Sequence, residues 1–448
     1  MGDAPPSGAA PSSRFRRVAK FVVLLLLLVW LSLVFWNSAK PLQPGTHVVS
    51  QTSRLSEADV DFLFESPRQS ASSQQADAVA RDSAAIDRAE QLIVLDQSPV
   101  GAEAARHLLA RQHARPNLKI VLVTDRGSEM LGGSYSQTLA SLEQAGVVVA
   151  RVRLDRLRDS NPLYTGAWRL VFGWWSDPFD ETPGEISVAA WSRSQNFKAD
   201  QRQILIADDG SGGWIAVVAA AGAHTGLVLR GALARAMVTS ELQVAAWSTD
   251  DDRLPSAPPM GSRGVGSIDA RFLTEGGIDT ALLDALSAAG TGDRISVAVD
   301  TLSDRPFIHA ALQAASRGAR LQVLLARNRI PNQAVAGELR REGGGNIEIR
   351  WCTREPETAR PSMLMVQHRS DLWLNLSSAN FTRRSLEDLN LEAGVELRMP
   401  ARAAPARAAI AYFTQIWGEA TPESGPAEES AVTYWRYRFE ESTGLSSF

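Results

Sequence analysis

The chain has 448 residues, 44% hydrophobic and 21% charged, with 46 basic against 50 acidic side chains. That length supports two core-forming units, and an acidic excess without a long basic run disfavours nucleic acid as a partner, because neutralising phosphates supplies most of that affinity. The single cysteine, Cys352, excludes an internal disulfide and a cysteine-rich metal site.

Residues 1–13, MGDAPPSGAAPSS, are rich in Pro, Gly, Ala and Ser and read as disordered. In FRRVAKFVVLLLLLVWLSLVFW, residues 18–36 are apolar except for Lys20 and Ser32. As a helix this run reaches about 28 Å, close to the roughly 30 Å hydrocarbon core of a bilayer. Arg14, Arg16, Arg17 and Lys20 precede it and only Lys40 closely follows. The positive-inside rule therefore predicts a cytoplasmic tail (1–17), a transmembrane anchor (18–36) and an extracytoplasmic remainder, periplasmic or on the outer face if bacterial. WNSAK is a poor cleavage site and Trp30 and Trp36 suit membrane interfaces, which favours an uncleaved anchor over a signal peptide. Residues 37–54 read as a short linker, and SPRQSASSQQADAV leads into a helical pattern ending near Glu90.

From residue 91 the pattern repeats. QLIVLD, GAEAARHLLARQHA, KIVLVTDR, YSQTLASLEQAG and VVVARVRL read as strand, helix, strand, helix, strand. RISVAVD, RPFIHAALQAASRG, LQVLLARN, NQAVAGELRREGGG and NIEIRWC follow the same order. Each series continues into an apolar run broken by turn residues, then a glycine-led strand, GLVLR at 226–230 and GVELR at 394–398, and a closing helix. Matching order predicts a duplicated α/β unit with largely parallel sheets, its halves at 55–255 and 256–420 with a tail over 421–448. The first half carries an insertion over 155–200 containing Trp168, Trp174, Trp175 and Trp191. These indoles either fill a private subcore or face a lipid interface.

RDSNPLYTGAWR, NFKADQRQILIADD, FLTEGGIDTALLDAL, RIPNQAVAGEL and SSANFTRRSLEDLNLEAGVEL occur in that order. Through them, over residues 55–418, the sequence resembles the phospholipase D superfamily, and more closely its bacterial membrane-anchored phospholipase D-like proteins. The resemblance implies an α/β class and a duplicated phospholipase D-like fold, two pseudo-two-fold-related α/β/α halves behind one N-terminal transmembrane helix. It also implies a phosphodiesterase centre that needs no metal or cofactor, with one H-x-K, four residues, then D, and one S-x-N turn in each half.

The catalytic letters depart from that pattern. Gln201 and Gln203 stand at the first His and Lys positions, with Asp208 retained; Arg360 and Ser362 stand at the second, with Gln367 near the Asp position. Residues 219–222, AAAG, replace the first S-x-N turn, whereas Ser378, Asn380 and Glu392 match the second half. None of His47, His107, His113, His224, His309 and His368 is followed two residues later by lysine. The implied mechanism needs one imidazole to attack phosphorus and another to protonate the leaving alcohol. Glutamine can do neither, and arginine stays protonated. Loss of both lysines also removes charge stabilisation of the transition state.

The leading expectation is a degenerate, membrane-anchored phospholipase D-like protein that binds membrane lipids. Its pseudo-active cleft would take a phospholipid headgroup, another anionic phosphodiester or a protein partner, with Ser378, Asn380, Arg360 and Glu392 as phosphate-binding candidates. A working phosphodiesterase or phosphatidyl transferase using replaced residues, and a non-catalytic envelope scaffold, are the alternatives. Asn380 also suits a turn amide, and Arg360 a pair with Glu355 or Glu357. His224 suits a buried or capping role and His368 the surface, while Asp208 and Asp209 before GSGG suit a hairpin turn. No spacing reads as a metal-ligand set, a P-loop or a dinucleotide fingerprint.

Overall fold

The computed structural model describes residues 13–64, 83–125, 133–173, 194–219, 225–259, 264–352, 362–423 and 431–443. Its strands are β1 (Ser53–Leu55), β2 (Val60–Phe64), β3 (Leu92–Gln97), β4 (Lys119–Asp125), β5 (Val148–Val152), β6 (Gln203–Asp208), β7 (Trp214–Ala219) and β8 (Thr225–Arg230), then β9 (Ile268–Thr274), β10 (Arg294–Val299), β11 (Arg320–Ala326), β12 (Ile347–Cys352), β13 (Ser362–His368), β14 (Asp371–Ser377), β15 (Ala393–Pro400) and β16 (Thr421–Pro422).

One sheet has the order β2-β8-β7-β6-β3-β4-β5 and the other β1-β9-β15-β14-β13-β10-β11-β12-β16. Without the edge strands β1 and β16 the orders coincide, β6 falling on β13 and β8 on β15. Strand senses coincide too: β3-β4-β5 and β10-β11-β12 are parallel and the remaining neighbours antiparallel. The sheets are thus mixed rather than largely parallel. The physical reason is connection length. Residues 209–213 join β6 to β7 and residues 369–370 join β13 to β14, and such short turns can form only antiparallel pairs.

Each sheet is covered on both faces, which gives each half its α/β/α layering. Ile86, Leu108 and Leu139 pack on the outer face of the first sheet against Ile93 and Ile120. Ile278, Ile308 and Val335 do so on the second against Ile295 and Val323. Between the sheets runs a shared core that includes Ile206, Val218, Phe272 and Leu374, with Met237 from the helix Ala232–Ser248 and Phe413 from the helix Ala404–Glu419. The two glycine-led strands have a common cause. A Cβ on Gly226 would lie 2.9 Å from the Val218 carbonyl, and one on Gly394 2.6 Å from the Ser377 Cβ.

The helix Ser13–Ser38 includes a stretch, Arg14–Ser38, long and apolar enough to cross a membrane. Its C-terminal end is bonded to the folded domain: the Asp159 N–H donates to the Asn37 carbonyl (3.1 Å) and Arg158 Nε to that of Lys40 (3.0 Å). The stretch that follows, expected as a linker, touches both halves. Trp247 Nε1 donates to the Pro44 carbonyl (3.0 Å), Val48 N–H donates to Thr274 Oγ1 (2.7 Å), β1 pairs with β9 and β2 with β8. At the other end, where a tail was expected, β16 pairs with β12 and the helix Ala431–Thr443 buries Tyr437, whose hydroxyl donates to the Ser303 carbonyl (2.9 Å).

Candidate functional site

Gln203 and Ser362 open the equivalent strands β6 and β13. Gln203 is half-buried opposite Gln97; Ser362 is buried opposite Ser377, and its hydroxyl has no hydrogen-bond partner. Arg360, His224 and residues 220–222 lie outside the described residues. Asp208 closes β6, about 17 Å from Gln203 at roughly 3.4 Å per residue. Its carboxylate there accepts the amides of Glu90 (3.0 Å), Gln91 (2.7 Å), Leu92 (2.8 Å) and Gly210 (3.1 Å). It clamps the start of β3.

The segment before β6 meets the second half directly. Asp200 and Leu391 form a parallel bridge, Leu391 N–H donates to the Ala199 carbonyl (3.0 Å) and Gln201 N–H to the Leu391 carbonyl (2.9 Å). Glu392 follows, fully buried. Its N–H donates to Glu275 Oε1 (2.9 Å) and its Oε2 accepts from Ser378 Oγ (2.5 Å). The Ser378 N–H donates to the Ala393 carbonyl (2.8 Å) and its Oγ accepts the Ala393 N–H (3.1 Å). Asn380 Oδ1 accepts the Thr301 N–H (3.3 Å). The serine-rich strand end read as a phosphate cradle is largely engaged by its own neighbours.

Arg202, between the two glutamines, is the hub. It is 0% exposed, with Nη1 on Glu241 Oε1 (3.0 Å) and Nη2 on both Glu275 Oε1 (2.6 Å) and the Gly45 carbonyl (2.9 Å). Carboxyls crowd around it. Asp200 lies two residues before Arg202 and takes its N–H (3.2 Å), and Asp96 is buried against Asp200 and Glu241. Burial, reinforced by Asp200 and Glu241, holds Asp96 well above the usual carboxylate range. Burial raises Asp200 as well, against the pull of Arg202 and with the push of Asp125. Burial drives Glu392 up to about 8, partly offset by the Ser378 and Ser385 hydroxyls. Glu275 sits at φ +40, a conformation a side chain rarely adopts, held by Arg202 and by the His47 N–H (2.8 Å). The centre is thus a desolvated cation enclosed by acids, several of which burial favours in their protonated form.

Sequence reasoning missed Glu241, Glu275, Asp96 and Gly45. Glu241 carried a signal, being the one acid in the helix Ala232–Ser248, whose only other charge is Arg235. Glu275 and Asp96 stand at strand ends, and nothing local marks the Gly45 carbonyl. Arg384 was missed too. It is 4% exposed, its guanidinium lies 4.8 Å from the Phe197 ring centroid, and its Nε and Nη2 have no partner.

Residues 282–417 match the family described as cardiolipin synthase, PLD-like domain. In fold the chain is similar to phosphatidylserine synthase from Haemophilus influenzae Rd KW20, over 93% of this chain and 97% of that one, with 10% identity and a TM-score of 0.55. Nuc, a phospholipase D family member from Salmonella typhimurium, aligns over 35% of this chain and 99% of its own with 16% identity and a TM-score of 0.29. Polyphosphate kinase from Porphyromonas gingivalis aligns over 86% and 53% with 12% identity and a TM-score of 0.47. None of the curated proteins matches. Residues 282–417 thus carry a PLD-like domain of that family, and nearly the whole chain shares the fold of the phosphatidylserine synthase.

Proposed function

We propose that the chain is a membrane-anchored phospholipase D-like protein whose centre is catalytically silent, with its N-terminus cytoplasmic and its folded domain on the far side of the bilayer. The Arg202 hub carries the reading. Gln201, Gln203 and Ser362 stand at motif positions of the two halves, and Arg202, between the two glutamines, is fully enclosed by Glu241, Glu275 and a backbone carbonyl. The imidazole and ammonium positions of the family are filled by two amides, Arg360 and a hydroxyl, which leaves no imidazole to attack phosphorus.

A headgroup phosphate reaching the Arg202 hub would meet acids around a cation already engaged. Contact with an anionic headgroup is therefore assigned to the rim, where half-exposed Asn380 and Arg383 stand three residues apart. The one-sided cluster Arg14, Arg16, Arg17 and Lys20 supports the orientation.

The test is turnover by the full chain in phosphatidylglycerol or phosphatidylserine vesicles. The expected result is no headgroup release, no headgroup exchange with added alcohol above empty vesicles, and no acid-labile phosphohistidine. Robust turnover that survives Asn380→Ala would reject the silent-centre reading. Weak binding of glycerophosphate, reduced further by Arg383→Ala, is expected on the rim assignment; tight binding that depends on Gln201 and Gln203 would return the ligand to the cleft.

A further inference from the structure

The helix Pro162–Phe172, PLYTGAWRLVF, packs against the C-terminal part of the apolar helix Ser13–Ser38. Trp30 Nε1 donates to the Leu163 carbonyl (3.1 Å). Gly166 lies so close that an added Cβ would be 2.7 Å from Val34 Cγ2 and 3.1 Å from Trp30 Cδ1. Trp30 and Val34 lie within the apolar run that ends at Trp36. At about 1.5 Å per residue they stand only some 9 Å and 3 Å from its end. A bilayer deep enough to cover that run must therefore reach the helix packed beside it.

The surface of that helix suits such a neighbour. Leu163 and Val171 are 38% and 55% exposed, Ala167 is exposed as well, and Trp168 and Phe172 are half-buried in ring contact. Arg169 is the single charged residue of the helix, and it is turned inward. Its guanidinium bonds the fully buried carboxylate of Asp159, which also takes Lys198 Nζ at 2.8 Å. Arg169 and Lys198 thus share one buried carboxylate inside the domain, and the exposed residues of the helix, Leu163, Ala167 and Val171, carry no charge.

We propose that the helix Pro162–Phe172 is a second membrane-contacting element, lying in the boundary between headgroups and acyl chains and seating the domain on the bilayer crossed by its own anchor. The occupant of its exposed face is lipid. This rests on the membrane-anchor reading. Because Asn161 and Ser160 lead into the helix, and the Ser160 carbonyl accepts from Arg383 Nη2 (2.7 Å), seating it would bring the cleft rim to headgroup level.

The test uses the full chain in phosphatidylcholine/phosphatidylglycerol vesicles, with Cys352→Ser and one new cysteine at a time bearing an environment-sensitive fluorophore. Probes go at Val171, at Leu26 within the anchor, and at Ser287, exposed on a helix of the second half. The proposal expects quenching of the residue 171 probe by lipids with a shallow doxyl group, several-fold above that at 287, with little quenching by aqueous iodide. Gly166→Leu, which wedges the two helices apart, should reduce the lipid quenching at 171 and increase iodide access while leaving the probe at 287 unchanged. Iodide quenching at 171 equal to that at 287 would overturn the proposal. So would protection from both quenchers, which would mean that protein, such as a second copy, covers the face. If the Leu26 probe is not reached by deep doxyl lipids, the anchor reading fails and this inference falls with it; if 26 is deep and 171 is wet, only this inference falls.

Discussion

Arg202 shows how one buried side chain can tie distant segments into a single packing element. A guanidinium with no exposure must have its donors met, and Glu241, Glu275 and Gly45 meet them from a helix, a strand end and the N-terminal segment. Removing it would leave buried carboxylates without their cation. Arg202→Ala is expected to cost about 3–5 kcal/mol in a denaturant titration of the detergent-solubilised chain, and Arg202→Lys to recover only part, because one ammonium cannot span three acceptors. The acids carry a pH signature of definite sign. Glu392 holds its proton up to about pH 8, and burial raises Asp200 in the same direction. Between the ordinary carboxylate range, about 4, and those raised values, the folded state binds more protons than the unfolded one. Their contribution is therefore fully present below about pH 4 and lost as pH rises to about 8. Midpoints measured at pH 6 and pH 9 should show the lower stability at pH 9, and Glu392→Gln should flatten that slope. An unchanged slope would mean that Glu392 does not hold its proton when folded.

At the scale of elements, the duplication is written in glycines as well as in strand order. Gly226 and Gly394 lead equivalent strands because a neighbouring strand leaves no room for a side chain. Gly394→Ala is expected to destabilise by about 1–3 kcal/mol through overpacking. Gly418→Ala is the control, since nothing lies within 4 Å of an added Cβ there, in the helix Ala404–Glu419. That change should be neutral or stabilise by about 0.5–1 kcal/mol. Thermal midpoints of the two variants moving the same way would contradict the close-approach account.

For the whole molecule, the N-terminal segment acts as a strap. Residues 39–64 touch Arg202, Thr274 and Trp247 and give β1 to one sheet and β2 to the other. A chain beginning at residue 39 should therefore fold with a clear cooperative transition. One beginning at residue 56 should lose β1 and the Gly45 acceptor of Arg202, and melt lower or bind a hydrophobic dye as a loosened core does. Equal melting of the two would show that the strap adds nothing.

The residue pattern by itself determined the α/β class, the duplication, the apolar span and the absence of any H-x-K, because strand and helix periods, a long uncharged run and residue identity are all local properties. It also placed Gln203 and Ser362 at the heads of the strands that prove equivalent. It misread the sheets as largely parallel and residues 37–54 as a tether, since strand sense depends on turn length and docking on surfaces far apart in sequence. Only the tertiary structure decided that Arg202, unremarkable between two glutamines, is the buried hub, and that Ser378 and Glu392 bond each other. A group's partners and its desolvation come from segments that folding brings together: here residues 45, 96, 202, 241, 275 and 392.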